Sequence, residues 1–314
     1  MEEYISRIMT AAEGRERLDS EIKQVLADKQ ILAMFLIHAT EEFNGCDKET
    51  AMAAIDGEPE VGTVRVEPGM HKVRGEATES VINDEGKVFY DIRCHAVTPD
   101  DRRIKILINI EAQGNYYPGY PLESRGVFYC SRMISEQMDT EFEGDDYGKL
   151  KKVYSIWVCI NSPSYAANSI VEYRLKPNIL YGKFPAEKMK GYDLISLVMV
   201  HLGKEESANK LCGLLYTLLK SKEPLADRKR NLEENYNISM SRTFLKEVGK
   251  MCNYSEYVEE RAAEKAREER DREMIGMKLL KGRSPEWIHE EDEYPMELIL
   301  EVQKGLELQK QPVK

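Results

Sequence analysis

Between Val88 and Gln113 the chain alternates with a period of two, and this run constrains the fold more than any other feature. Val88, Tyr90, Ile92, Cys94 and Ala96 fall on one face; Phe89, Asp91, Arg93, His95 and Val97 fall on the other. Thr98-Pro99-Asp100-Asp101 is a turn signal. A second run then sets Ile104, Ile106, Ile108 and Ile110 against Arg103, Lys105, Leu107, Asn109, Glu111 and Gln113. Two such strands joined by a short polar turn predict an antiparallel hairpin. The segment 152–161 differs: Val-Tyr-Ser-Ile-Trp-Val-Cys-Ile is continuously apolar, as in a strand buried on both faces. The run at 194–200 predicts a further strand.

Helical patterns flank these strands. Ile31, Leu32, Phe35, Leu36 and Ala39 recur at i, i+3, i+4 behind Asp28, a capping residue, and the pattern stops near Asn44-Gly45. A short helix is predicted over 48–55, broken by Gly57-Glu58-Pro59, and 56–87 reads as a long connection with a strand at 63–66. Pro121 opens a helix carrying Leu122, Val127, Phe128, Cys130, Met133, Ile134 and Met138. From Ser207 onward the pattern is helical, in pieces at 207–221, 225–235, 239–251 and 255–281, followed by units opened by Pro285 and Pro295. Residues 1–27 then form an N-terminal helical extension, 28–205 the α/β (α+β) core, 206–254 a helical region, and 255–314 a charged helix with a small helical unit.

The chain has 314 residues, 42% hydrophobic and 32% charged, enough for a core without metal or disulfide staples. A net charge of -11 argues against a broad nucleic-acid-wrapping surface, because phosphates need Lys and Arg. A local basic strip of Arg93, Arg103, Lys105, Arg125, Lys149, Lys151 and Lys152 is compatible with an acidic body. The six cysteines are dispersed and form no CxxC pair, which fits buried thiols in a reducing cytoplasm. The start, Met1-Glu2-Glu3-Tyr4, shows no signal-peptide pattern, and no apolar run approaches a membrane span. A cytoplasmic location and no membrane partner are expected.

Chemistry concentrates on the predicted hairpin. Glu111 and Gln113 lie two residues apart and share a face. A turn centred on Asp100 sets Asp91 opposite Asn109 and makes Glu111 its diagonal neighbour. Two carboxylates at that range suit one magnesium or manganese ion, which binds through one or two carboxylates and keeps several waters. Such a water loses a proton more easily and attacks phosphodiesters. Arg125 and Tyr129 lie four apart on one helical face, placed to meet a phosphate. Each residue also has a plainer account. Asp91, Glu111 and Gln113 fit the wet face of an amphipathic hairpin, and Arg125 with Tyr129 fits helix packing. His95 reads as an ordinary hydrogen-bonded histidine, and no other histidine lies at metal-ligand spacing. Nucleophile elbow, phosphate loop and dinucleotide fingerprint are all missing, which argues against those hydrolase, NTPase and dehydrogenase classes.

The run Ile108-Asn109-Ile110-Glu111-Ala112-Gln113, the helix with Tyr120-Pro121-Leu122, Arg125 and Tyr129, and Val153-Tyr154-Ser155-Ile156-Trp157 together resemble the PD-(D/E)XK nuclease family transposases, the group related to recombination-promoting nucleases. The likeness extends over roughly residues 28–260. It implies a restriction-endonuclease-like αβββαβ core with a mostly helical C-terminal region, and magnesium- or manganese-dependent DNA cleavage. By this resemblance Asp91 matches the strand aspartate and Glu111 the first position of the (D/E)xK element. Gln113 stands where the wider superfamily has lysine, and Glu42 matches a helical glutamate that completes the site. Tyr90 precedes Asp91, so the "PD" pair is missing. An amide at 113 orients water but brings no charge. The alternative from another class is a catalytically inactive nuclease-fold scaffold acting in protein or DNA binding. DNA is the expected partner, with self-association through the C-terminal helices.

Overall fold

The computed structural model describes residues 11–62, 79–82, 86–89, 91–98, 107–113, 116–138, 140–185 and 188–309. The chain divides into two units, one formed by residues 16–252 and one by 1–15 with 253–314.

The larger unit is mixed α/β. Helices α1 (Ala11–Leu26), α2 (Lys29–Ala39) and α3 (Lys48–Ala54) come first. Asp28 caps α2 by accepting from the Gln30 amide at 2.9 Å, and Asp47 caps α3 by accepting from the Thr50 amide at 2.7 Å. Strand β1 (Ile55–Val61) follows, then β2 (Glu79–Ile82) and β3 (Gly86–Phe89), which pair only with each other. Next come β4 (Ile92–Ala96), β5 (Leu107–Gln113), α4 (Leu122–Ser135), β6 (Val153–Cys159), β7 (Ser169–Arg174) and β8 (Ile195–His201). The main sheet has six strands in the order β1-β4-β5-β6-β8-β7. Strands β5, β6 and β8 run parallel; β1, β4 and β7 join antiparallel.

Every residue of β6 is buried, as its apolar run predicts. Its two faces serve different clusters. Tyr154, Ile156 and Val158 join α2 residues such as Phe35 and Leu36, and also Leu211, Leu214 and Leu215 of α5 (Lys210–Leu219). Val153, Trp157 and Cys159 join Leu122, Tyr129, Cys130 and Met133 of α4. Gly126 explains how closely α4 lies on the sheet: a Cβ there would come within 2.4 Å of Leu197 Cδ1. Cys94, Cys130 and Cys159 are buried, and burial pushes each thiol up to about 12.

Several sequence expectations change. The helix expected over 48–55 ends at Ala54, but the Gly57-Glu58-Pro59 segment is not a connection: it lies inside β1, where the pairing with β4 shifts between Asp56 and Glu60. An edge strand tolerates a proline and an irregularity of this kind. The strand expected at 63–66 lies outside the described residues. The alternating run from Val88 is two strands, not one: Val88 and Phe89 belong to the small β2–β3 hairpin, and β4 begins at Ile92. Strand β7 carries no clear alternation and emerges only from its pairing with β8.

Beyond α5, α6 (Leu225–Tyr236) ends on Asn237 in the left-handed conformation. One helix, α7 (Arg242–Leu280), replaces the two expected at 239–251 and 255–281, since no proline or glycine pair interrupts it. In the smaller unit Ile275, Ile288 and Ile299 form an apolar cluster between α7, α8 (Pro285–Asp292) and α9 (Met296–Gln309). Ser284 caps α8 through the Trp287 amide at 3.2 Å. Among the described residues no helix is long and apolar enough to cross a membrane.

Candidate active site at the carboxyl end of the parallel strands

Strands β4 and β5 pair with Arg93 facing Asn109 and Cys94 facing Ile108. The turn is therefore centred one residue later than the sequence suggests. Continued outward by two residues, this register sets Asp91 across from Glu111 rather than from Asn109. Asp91 itself stands at a bend before β4, and its carbonyl accepts from the Gly62 amide at 2.6 Å. On the other side of β5, Glu111 pairs with Trp157 and Gln113 with Cys159. Cys159 in turn pairs with His201, so Gln113, Cys159 and His201 form one row across the ends of three parallel strands.

A cation does stand beside Asp91, but it comes from α1. Lys23 Nζ lies 2.8 Å from Asp91 Oδ1 and 2.6 Å from Asp19 Oδ2. Its side chain is 9% exposed, so this ammonium is held almost entirely by the two carboxylates. Burial alone would lower the Lys23 pKa; Asp91 and Asp19 outweigh it and hold it above the ordinary lysine value. Asp19 is raised, first by its own burial, with Lys23 opposing and Asp91 adding to the rise. The two carboxylates are thus arranged around one positive charge, which the Lys23 ammonium supplies. The only local sign of Lys23 in the sequence is the i, i+4 spacing of Asp19 and Lys23 on α1, a spacing too common to single out a site.

Glu42 keeps other company. Its Oε2 accepts from the Tyr154 hydroxyl at 2.6 Å, and its Oε1 lies 3.0 Å from Lys152 Nζ. Lys152 also pairs with Asp193 at 2.9 Å. Tyr154 is paired with Ile108, three residues before Glu111 along β5. The structure therefore does not bring Glu42 to Asp91 but ties it to the opening residues of β6. In this cluster Asp193, Tyr154 and Glu42 overcome the effect of burial and raise the Lys152 pKa. Burial first, and then the bond to Glu42, raise that of Tyr154.

Arg125 and Tyr129 do meet. Arg125 Nη2 donates to the Tyr129 hydroxyl at 2.7 Å, and its guanidinium lies 5.2 Å from the centre of the Trp157 ring. Trp157 is the residue paired with Glu111, so the guanidinium sits beside the Glu111 row. Three cations of the expected basic strip are paired with carboxylates. Arg93 pairs with Glu136, Lys149 with Asp146 at 2.8 Å, and Lys152 with Glu42 and Asp193. Arg103 and Lys105 lie outside the described residues.

Sequence reasoning passed over the tyrosines that follow β5. Tyr116, Tyr117, Tyr120, Tyr165 and Glu123 line a cavity of about 390 Å³. The Tyr116 ring lies 5.7 Å from that of His201, and the Tyr117 and Tyr165 hydroxyls are 2.9 Å apart. Burial lowers the His201 pKa, and Glu123 partly opposes the shift.

Comparison with family models, with curated proteins and with solved structures returns no match.

Proposed function

We propose that this chain is a metal-dependent DNA endonuclease of the recombination-promoting transposase type, hydrolysing phosphodiester bonds. The observation that supports the reading is the β4–β5 register, Arg93 against Asn109, which continued two residues outward brings Asp91 level with Glu111, beside an arginine-bearing helix. The order helix, β1, β4, β5, α4, β6, with β5 and β6 parallel, supports an αβββαβ nuclease core into which β2–β3 is inserted.

In this reading Asp91 and Glu111 hold the ion. When bound, magnesium or manganese supplies a water of lowered pKa and neutralises charge on the attacked phosphate. Gln113, two residues beyond Glu111, orients a water through its amide. Arg125, oriented by Tyr129 and seated on Trp157, binds a phosphate oxygen. Lys23 fixes the Asp91 carboxylate and offsets its charge.

The Lys23–Asp91 ion pair together with Gln113 favours a second reading, an inactive nuclease-fold scaffold that binds DNA or protein. Incubating supercoiled plasmid with the full chain and magnesium, manganese or EDTA separates the two. Metal-dependent nicking that is lost in Glu111→Ala supports the endonuclease. A folded chain that leaves plasmid intact in every condition supports the scaffold.

A further inference from the structure

We infer that the tyrosine cavity beyond β5 is a stacking pocket for an unpaired nucleobase, so that the substrate is DNA with a single-stranded or frayed segment at the cleavage point. The inference rests on the nuclease reading above and names the form of DNA it takes.

Three observations converge on this. The first is composition. Four tyrosines surround about 390 Å³ of space, and three of them are largely presented to solvent: Tyr117 at 65%, Tyr120 at 47% and Tyr165 at 77% exposure. A contiguous exposed apolar patch marks an interaction site, and every base has a flat face to stack on such rings. The rings are held in place, since Tyr116 and Tyr117 meet edge to face at 4.8 Å and the Tyr117 and Tyr165 hydroxyls are hydrogen-bonded. The second is position. Tyr116 follows Gln113 by three residues and lies against His201, the end of the row that contains Gln113 and Cys159. The cavity thus lies beside the row of strand ends that carries Gln113. The third is polarity. Glu123 faces the cavity, and its charge is felt by Tyr116, Tyr117, Cys159 and His201. A carboxylate there repels phosphate but accepts hydrogen bonds from the amino groups of a base. Glu123 and Arg125 both lie in the first two turns of α4, so one helix offers an acceptor for the base and a cation for the phosphate.

A duplex does not present an unstacked base, so binding must discriminate between strand states. The test uses the full chain in EDTA with a single-stranded oligonucleotide carrying 2-aminopurine, whose emission falls on stacking. The same sequence as a blunt duplex is the comparison, and choline is the competitor. Expected are quenching with the single strand and tighter binding than to the duplex. Tyr117→Ala combined with Tyr165→Ala weakens single-strand binding by about fivefold or more. Tyr117→Phe with Tyr165→Phe retains most of it, since the ring rather than the hydroxyl does the stacking. No single-strand preference, an unchanged double-alanine variant, or displacement by choline at concentrations that leave the duplex bound overturns the inference. Failure of the pocket and failure of the nuclease reading are distinguishable: plasmid nicking without any tyrosine effect removes only the former, and tyrosine-dependent binding without nicking removes only the latter.

Discussion

Lys23 reaches across from α1 to place its ammonium 2.8 Å from Asp91, a residue 68 positions later in the chain. The same ammonium lies 2.6 Å from Asp19, so two carboxylates share one buried cation. Lys23→Met leaves both carboxylates facing each other without a counter-charge. In EDTA it is expected to lose about 1–3 kcal/mol of stability, the range for an unsatisfied polar group in a partly buried site. Added magnesium then raises the melting temperature of Lys23→Met more than that of the wild type, because the ion takes over the charge. Thermal denaturation of both proteins with and without magnesium checks this, and equal metal shifts contradict it.

Glu42 is expected to act on stability and not on the candidate site. Glu42→Gln keeps a hydrogen-bond acceptor for Tyr154 but leaves Lys152 with Asp193 alone. The expected loss is about 1–3 kcal/mol in urea denaturation, with metal binding by the folded protein unchanged.

The cluster around Tyr154 also fixes the response to alkali. Lys152 and Tyr154 both have pKa values raised above their ordinary 10.5 and 10.0. A raised folded-state pKa stabilises the fold while the proton is bound in both states. That contribution is therefore complete below pH 10 and is lost as pH rises through the higher folded-state values. Tyr154→Phe removes one of the two groups. Its urea midpoint is lower than wild type at neutral pH and falls less steeply above pH 10.

Gly126 is where α4 touches β8. Gly126→Ala drives a methyl group against the Leu197 side-chain methyls, and Leu197 is 1% exposed. The expected cost is about 1–3 kcal/mol, the usual range for overpacking. Combining it with Leu197→Ala gives a double variant less destabilised than the sum of the two single changes. Additive losses would contradict the close approach.

The central strands were legible in the sequence for a physical reason. A strand buried on both faces must be apolar throughout, and β6 and β8 announce themselves that way. A strand with two unlike faces alternates, and the sequence of β5 does. The same logic misled at Asp91, because two different hairpins both alternate and their periods run on through Tyr90. It also failed at β1, where an edge position accommodates Gly57 and Pro59, and at β7, where partial exposure blurs the alternation. Of the candidate site, Asp91, Glu111, Gln113, Arg125 and Tyr129 were proposed from spacing or resemblance, and the structure brings Arg125 and Tyr129 together. Lys23 and the pairing of Glu42 with Lys152 were not, since both join segments far apart in sequence. The tyrosine cavity was passed over, since Tyr165 joins Tyr116, Tyr117 and Tyr120 only through the fold.

The most direct test of the account is a titration of the full chain with manganese, read by electron paramagnetic resonance, in wild type, Asp91→Asn, Glu111→Gln and Glu42→Gln. The account predicts a bound ion in the wild type and in Glu42→Gln, and its loss or severe weakening in both Asp91→Asn and Glu111→Gln. Equal binding in all four proteins, or loss confined to Glu42→Gln, would contradict a shared site between Asp91 and Glu111.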